Sequence, residues 1–158
     1  MTNGDNEDNG DHDIEVPSGS LTITGFPAGV LVEAGNTAVQ SLSTATEIAS
    51  STGHDDVATA TEALHLDLRT RFHVTANQVN IYQQQTININ QQTITEIHNQ
   101  IENYTKTLEA HNVPFFECKE AYERCMSGAS DTGEKLHCQA VYAGCLGSTV
   151  ITKLTPFL

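Results

Sequence analysis

The most specific pattern in the chain lies near its C-terminal end, where residues 118–145 read CKEAYERCMSGASDTGEKLHCQAVYAGC. The cysteines follow the spacing C-x6-C-x12-C-x6-C, so the members of each pair are seven residues apart. Seven residues make about two turns of an α-helix, which places both cysteines of a pair on one helix face. Each copy also carries a tyrosine three residues before its second cysteine, Tyr122 and Tyr142. The repeat predicts two helices with matching faces.

The segment between the two copies is typical of a turn. It is rich in serine and glycine, and Asp131 and Glu134 have capping-box spacing at the start of the second helix. A disulfide-linked helical hairpin is therefore expected over residues 114–147.

Antiparallel packing of that hairpin favours one of the three connectivities that four cysteines allow. The favoured pairs are Cys118 with Cys145 and Cys125 with Cys138. Structural zinc sites usually take cysteines with two to four residues between them, whereas six intervening residues spread the sulfurs by about 10 Å along each helix. We therefore expect no metal. Disulfides imply an extracellular or cell-surface location, with the mitochondrial intermembrane space as the alternative.

The four-cysteine pattern, with Leu146 and Gly147 after its last cysteine, resembles a helical module of small secreted cell-surface proteins of filamentous fungi. The resemblance covers residues 116–147 and leaves out the upstream segments. It implies a secreted or wall-associated role without an established chemistry.

Upstream of the hairpin, residues 57–108 keep one apolar rhythm of three and four residues without a Gly or Pro. We interpret the stretch as one helix of about 50 residues, about 75 Å long, which has to bend back or find partners. Alternation in residues 64–74 and β-branched residues in 86–97 leave short strands open as a second interpretation.

The second half of this stretch has heptad spacing, and we name it the seam. It consists of Ile87, Asn90, Ile94, Ile97, Ile101, Tyr104 and Leu108. In a coiled coil these residues would pack against further copies of the chain. In an intramolecular bundle they would instead form the core-facing stripe of one helix.

The remaining segments complete an all-α fold, with long helices in a bundle or a coiled-coil stalk followed by the hairpin. A first helix begins near Val30, buries a face that includes Leu31 and Leu42, and ends near Gly53. The predicted division is a disordered acidic tail (1–20), a helical bundle or stalk (21–113), the disulfide-linked hairpin (114–147) and an apolar C-terminal tail (148–158).

Charge is distributed unevenly along the 158 residues, whose formal net charge is −13. Twelve acidic residues and no basic residue precede Arg69, whereas eight acidic and seven basic residues follow from there. Such a chain is repelled by phosphate backbones, so no nucleic-acid partner is expected. No apolar run reaches the roughly 18 residues of a membrane span. The first fifteen residues are acidic, unlike a secretory leader, and we expect a processed chain with an added Met1.

Catalytic and cofactor motifs are not recognisable, and we expect neither an enzyme nor a cofactor. The seven histidines are scattered without a ligand spacing. Asn103 begins the sequence Asn-Tyr-Thr and is a candidate glycosylation acceptor.

Two functions follow as hypotheses. The first is a secreted structural or interaction protein that self-associates through the seam. The alternative is a monomeric helical binding module for an apolar ligand, an apolar surface or a protein target, with a defence or inhibitor-like role.

Overall fold

Five α-helices dominate the computed structural model, which describes residues 22–23, 26–72, 74–75, 78–79 and 90–158. They are α1 (Ala28–Ser51), α2 (Asp55–Phe72), α3 (Gln91–Ala110), α4 (Phe116–Gly128) and α5 (Thr132–Leu154), and a 3₁₀ turn (Thr155–Phe157) follows α5. Two antiparallel pairs of two-residue strands flank them: β1 (Thr22–Ile23) with β2 (Phe26–Pro27), and β3 (Val74–Thr75) with β4 (Gln78–Val79). The all-α prediction is confirmed. The predicted tail, residues 1–20, lies outside the described residues.

Helices α2 and α3 run antiparallel, as two side-chain contacts show. Near one end the hydroxyls of Thr61 and Tyr104 are 2.9 Å apart, and near the other Arg71 lies 3.3 Å from Glu96. The Thr61 hydroxyl donates to the Val57 carbonyl at 2.7 Å, so Tyr104 is the donor to Thr61. Burial raises the pKa of Tyr104 to about 12, which keeps that donor protonated.

Helices α1 and α5 run parallel although they lie at opposite ends of the sequence. The Phe26 ring, just before α1, is 5.0 Å from the His137 ring. Further along, the Ser41 hydroxyl donates to the Gly144 carbonyl at 2.9 Å. The chain thus goes up, down, up, down and up, and α5 packs against α1, α3 and α4.

Two glycines on α5 allow it to lie against the backbone of α1. A Cβ added at Gly144 would be 3.5 Å from the Ala38 Cα, an ordinary contact distance. One added at Gly147 would be only 3.1 Å from the Ser41 carbonyl carbon and 3.2 Å from the Leu42 nitrogen. Gly147 is therefore the point of closest approach, because no larger residue fits there without moving a helix.

The prediction of one helix over residues 57–108 is wrong. Helix α2 ends at Phe72, whose ring fills the space that Gly35 of α1 leaves open. The chain then forms the β3–β4 pair, in which Val74 lies opposite Val79. Residues 64–72 and 91–97 are helical, so among the described residues of the two regions left open for strands only Val74 lies in one, and residues 86–89 lie outside the described part. The spacing of apolar residues by three and four positions continues across the break because the apolar faces of α2 and α3 pack against the same core.

Within the seam, the residues from Ile94 onward face the core of a single chain. At most 3% of each side chain is exposed in Ile94, Ile97, Ile101, Tyr104 and Leu108. Asn90 does not belong to this stripe: it is exposed and is the N-cap of α3, accepting a hydrogen bond from the Thr93 amide at 3.0 Å. Ile87 lies outside the described residues.

Both predicted disulfides are present, Cys118–Cys145 and Cys125–Cys138. Asp131 caps α5 by accepting from the Glu134 amide at 2.8 Å, and Glu134 accepts in turn from the Ser130 amide at 2.9 Å. Helix α5 continues beyond residue 147, the predicted end of the hairpin, and buries Val150 and Leu154 of the predicted tail. The first part of the predicted tail thus packs on the bundle, while residues 155–158 are exposed.

Alanine substitutions at the two glycines should have different effects. Gly147→Ala should lower the free energy of unfolding by about 1–3 kcal/mol, because α1 and α5 have to separate. Gly144→Ala should be neutral or stabilise by up to about 1 kcal/mol, since alanine is the better helix former and has room. Urea denaturation of both variants measures the difference. Equal stability of the two would contradict the close approach at Gly147.

Acidification should destabilise the fold through His65. Burial lowers the pKa of His65 below 6.5, opposed by Glu62, whose carboxylate lies 3.6 Å from the ring Nδ1, too far for a hydrogen bond. The unfolded chain therefore binds the proton more tightly, so stability is complete above about pH 6.5 and falls as the pH drops through the folded pKa. His65→Gln should flatten this dependence in denaturation measured between pH 7.5 and 5. An unchanged slope would show that His65 is not its source.

Candidate functional site

Two interhelical turns and the C-terminus meet at one end of the bundle. Two residues after the end of α1, Gly53 is in the left-handed conformation at φ +78°, and two residues after the end of α3, Asn112 has φ +58°. In each turn the following amide reaches back to a carbonyl of the last helical turn, His54 to Ala49 at 2.8 Å and Val113 to Leu108 at 2.9 Å. These are Schellman motifs, which reverse the chain within a few residues. The second directs residues 114–116 across the end of α5.

A groove of about 930 Å³ lies at this end, and we name it the C-terminal groove. One wall is the start of α4 with the residues before it, the other is the last turns of α5, and the 3₁₀ turn closes one side. Its lining consists of Pro114, Phe115, Phe116, Glu117, Cys118, Cys145, Ser148, Thr149, Thr152, Lys153, Pro156 and Phe157. A smaller recess of about 370 Å³ shares residues 114–116 with it.

Large apolar side chains are exposed at this groove. Phe116 is 68% exposed and Phe157 62%, and Leu158, which follows Phe157 in the chain, is 72% exposed. The edge of the Phe157 ring meets the ring of His54, with centroids 5.3 Å apart, which attaches the 3₁₀ turn to the α1–α2 turn. Exposed apolar side chains clustered around a concavity are typical of a binding site.

The Cys118–Cys145 disulfide joins the two walls of the groove. Next to it the Thr149 hydroxyl donates to the Cys145 carbonyl at 2.9 Å and lies 3.5 Å from the Cys118 sulfur. Helix α4 buries only Cys118 and Tyr122, so little apolar area holds it in place. The covalent bond therefore fixes the width of the groove.

Aromatic side chains pack between the two disulfides. The rings of Tyr122 and Tyr142 stack with centroids 4.3 Å apart, and His98 Nδ1 lies 3.0 Å from the Tyr122 hydroxyl. Burial raises the pKa of both tyrosines, so the hydroxyls stay neutral at physiological pH. Ala121 and Val141, the residues before these tyrosines, are exposed. The cluster is part of the hairpin packing.

The other residues singled out in the sequence lie apart from the groove. Asn103 is exposed on α3, while Thr105 of the same acceptor sequence is buried, and its glycosylation stays a prediction. No three His, Cys, Asp or Glu side chains of the described residues are grouped so that they could hold a metal ion. Across the same part of the chain, no helix is both long and apolar enough to span a bilayer.

Sequence reasoning missed the aromatic residues of the groove. Phe115, Phe116 and Phe157 lie outside the long periodic stripes, at the start of one helix and after the end of another. A signal was nevertheless present, since Pro-Phe occurs both just before the first cysteine and just after the last helix. Two such apolar ends on helices joined by a disulfide predict an exposed aromatic cluster.

Comparison with known proteins gives no relative: no family model, no curated protein and no solved structure matches the chain.

Each disulfide should contribute measurably to stability. The paired cysteines are 13 and 27 residues apart, and removing a crosslink that closes a loop of about 15 residues costs about 3 kcal/mol. The double variant Cys125→Ala/Cys138→Ala should therefore unfold at lower urea concentration, and Cys118→Ala/Cys145→Ala should lose at least as much. Denaturation without reductant measures both. A variant with the midpoint of the unaltered protein would show that its disulfide does not restrain the chain.

Proposed function

We propose that this chain is a secreted, monomeric helical binding module that holds an apolar ligand in the C-terminal groove. The observation that carries the proposal is the cluster of exposed aromatic side chains, Phe116 and Phe157, on a concavity whose walls are joined covalently. A volume of about 930 Å³ lies within the range of about 300–1,000 Å³ that small-molecule sites occupy.

The rigidity of the groove supports a binding role. Helix α4 is held to α5 by two disulfides, and the 3₁₀ turn contacts both α5 and the His54 ring. Walls that are fixed before the ligand arrives lose little conformational entropy on binding. Apolar ligands are then bound by the area that they remove from water, at about 25 cal/mol per Å² before the cost of association.

The compartment is part of the same proposal. Disulfides persist where the environment is oxidising, and we propose the extracellular space or the cell surface. The charge of −13 would keep a protein with exposed phenylalanines soluble at high concentration.

Self-association through the seam is the competing function. It requires that Ile97 and Ile101 be available to a second copy, yet both are fully buried within one chain. Pairing through them would require α3 to leave its own bundle. The binding module requires no such rearrangement, and for this reason we favour it.

A neutral fluorescent probe tests the groove. N-phenyl-1-naphthylamine should bind the unaltered protein with an increase in emission, and Phe116→Ser should weaken binding several-fold because it removes apolar contact area. Leu66→Ser is the matched control: Leu66 is 45% exposed on α2, away from the groove, so this variant should bind as the unaltered protein does.

The outcomes separate the two functions. Loss of binding in Leu66→Ser as well, or no binding by any form, would contradict a site at the groove. The same samples are sized by light scattering, where a monomer of 17.1 kDa is expected. A stable oligomer in place of the monomer would favour self-association.

A further inference from the structure

Apart from Glu117 on the α4 wall, the polar side chains and the phenylalanine rings lie on different sides of the C-terminal groove. The wall formed by α4 and the residues before it carries Phe115 and Phe116, and the 3₁₀ turn adds Phe157. The α5 wall carries hydroxyl groups and, in the last turn of the helix, the ammonium group of Lys153. A ligand that matches both sides has an apolar body and a polar end.

Lys153 is the base in the lining of this groove, and it forms no ion pair with the residues that the structure describes. No carboxylate of the described residues lies within 4 Å of it. Glu117 also lines the groove, on the opposite wall and without an ion pair to Lys153. The charge on the α5 side is therefore positive, although the chain as a whole is strongly acidic.

We propose that the ligand of the C-terminal groove is a long-chain carboxylate, a fatty acid, whose acyl chain packs on the phenylalanine rings and whose carboxylate pairs with Lys153. This inference rests on the proposed function and specifies the ligand class of the same groove. An acyl chain is bound by area and has no further hydrogen-bonding needs, which fits walls that offer mainly rings, a disulfide and proline.

Two larger partners fit the same surface less well. An anionic membrane would be repelled by a chain of charge −13. A protein partner forms stable contacts over about 1,200–2,000 Å² in total, whereas the exposed apolar residues at this end are essentially Phe116, Phe157 and Leu158. A single acyl chain requires only the groove itself.

Calorimetric titration with laurate and with methyl laurate at pH 8 tests the inference. The two ligands share the acyl chain and differ in charge. The unaltered protein should bind laurate about fivefold more tightly than the ester, as expected for one partly screened ion pair. Lys153→Gln should bind the two equally, with its affinity for the ester unchanged.

Two variants control for general effects of charge. Lys135→Gln makes the same change of net charge in the first turns of α5, at the far end of the helix, and should keep the preference. Glu117→Gln should keep it or increase it, because it removes a negative charge from the groove.

Equal affinity of the unaltered protein for laurate and its ester would overturn the inference, although ester binding would still support an apolar site. A preference that persists in Lys153→Gln would also overturn it, since the carboxylate would then bind elsewhere. If neither ligand nor the neutral probe binds, the proposed function itself fails.

Discussion

The close approach of α1 and α5 is the contact on which the rest of the bundle depends. Gly147 brings the backbone of α5 against Ser41, and the serine hydroxyl donates to the Gly144 carbonyl one turn earlier. Helix α5 is then enclosed by α1, α3 and α4, and about half of its residues are buried. Because the two helices are more than 80 residues apart in sequence, this contact forms only when the intervening chain has reversed its direction four times.

Helix α4 depends on a different constraint. It buries two side chains, whereas α1 buries eight residues and α3 six. Apolar burial on this scale does not offset the entropy lost when thirteen residues become ordered. Its two disulfides restrict the unfolded chain and so lower that cost. A helix held by covalent bonds can leave Phe116 exposed. The groove is present because disulfides, rather than buried apolar side chains, hold α4 in place.

The sequence predicted the local elements well and their breaks poorly. Helix α1 and the hairpin could be predicted from the sequence because their signals act over a few residues. These signals are the apolar spacing, Gly53, Asp131 and the cysteines. The break after Phe72 could not be predicted, since α2 and α3 face one core and the spacing of their apolar residues is the same before and after the break. Asn90 fits the heptad only by position, and its pairing with Thr93 is that of a helix cap. Glycines inside α5 were not interpreted as a contact with α1, although glycine costs about 1 kcal/mol there relative to alanine. The aromatic residues of the groove lie outside every periodic stripe, so no periodicity could predict them.

Both disulfides close loops that contain the turn between α4 and α5, where Ser130 is exposed. An extracellular protease that cuts at this turn would produce two fragments that remain joined by both sulfur bridges, and the two walls of the groove would stay in register. After a cut at the exposed Gly53 turn the two fragments would not be joined covalently, because no disulfide spans this turn. Tolerance of proteolytic nicking is thus concentrated in the part of the molecule that holds the groove.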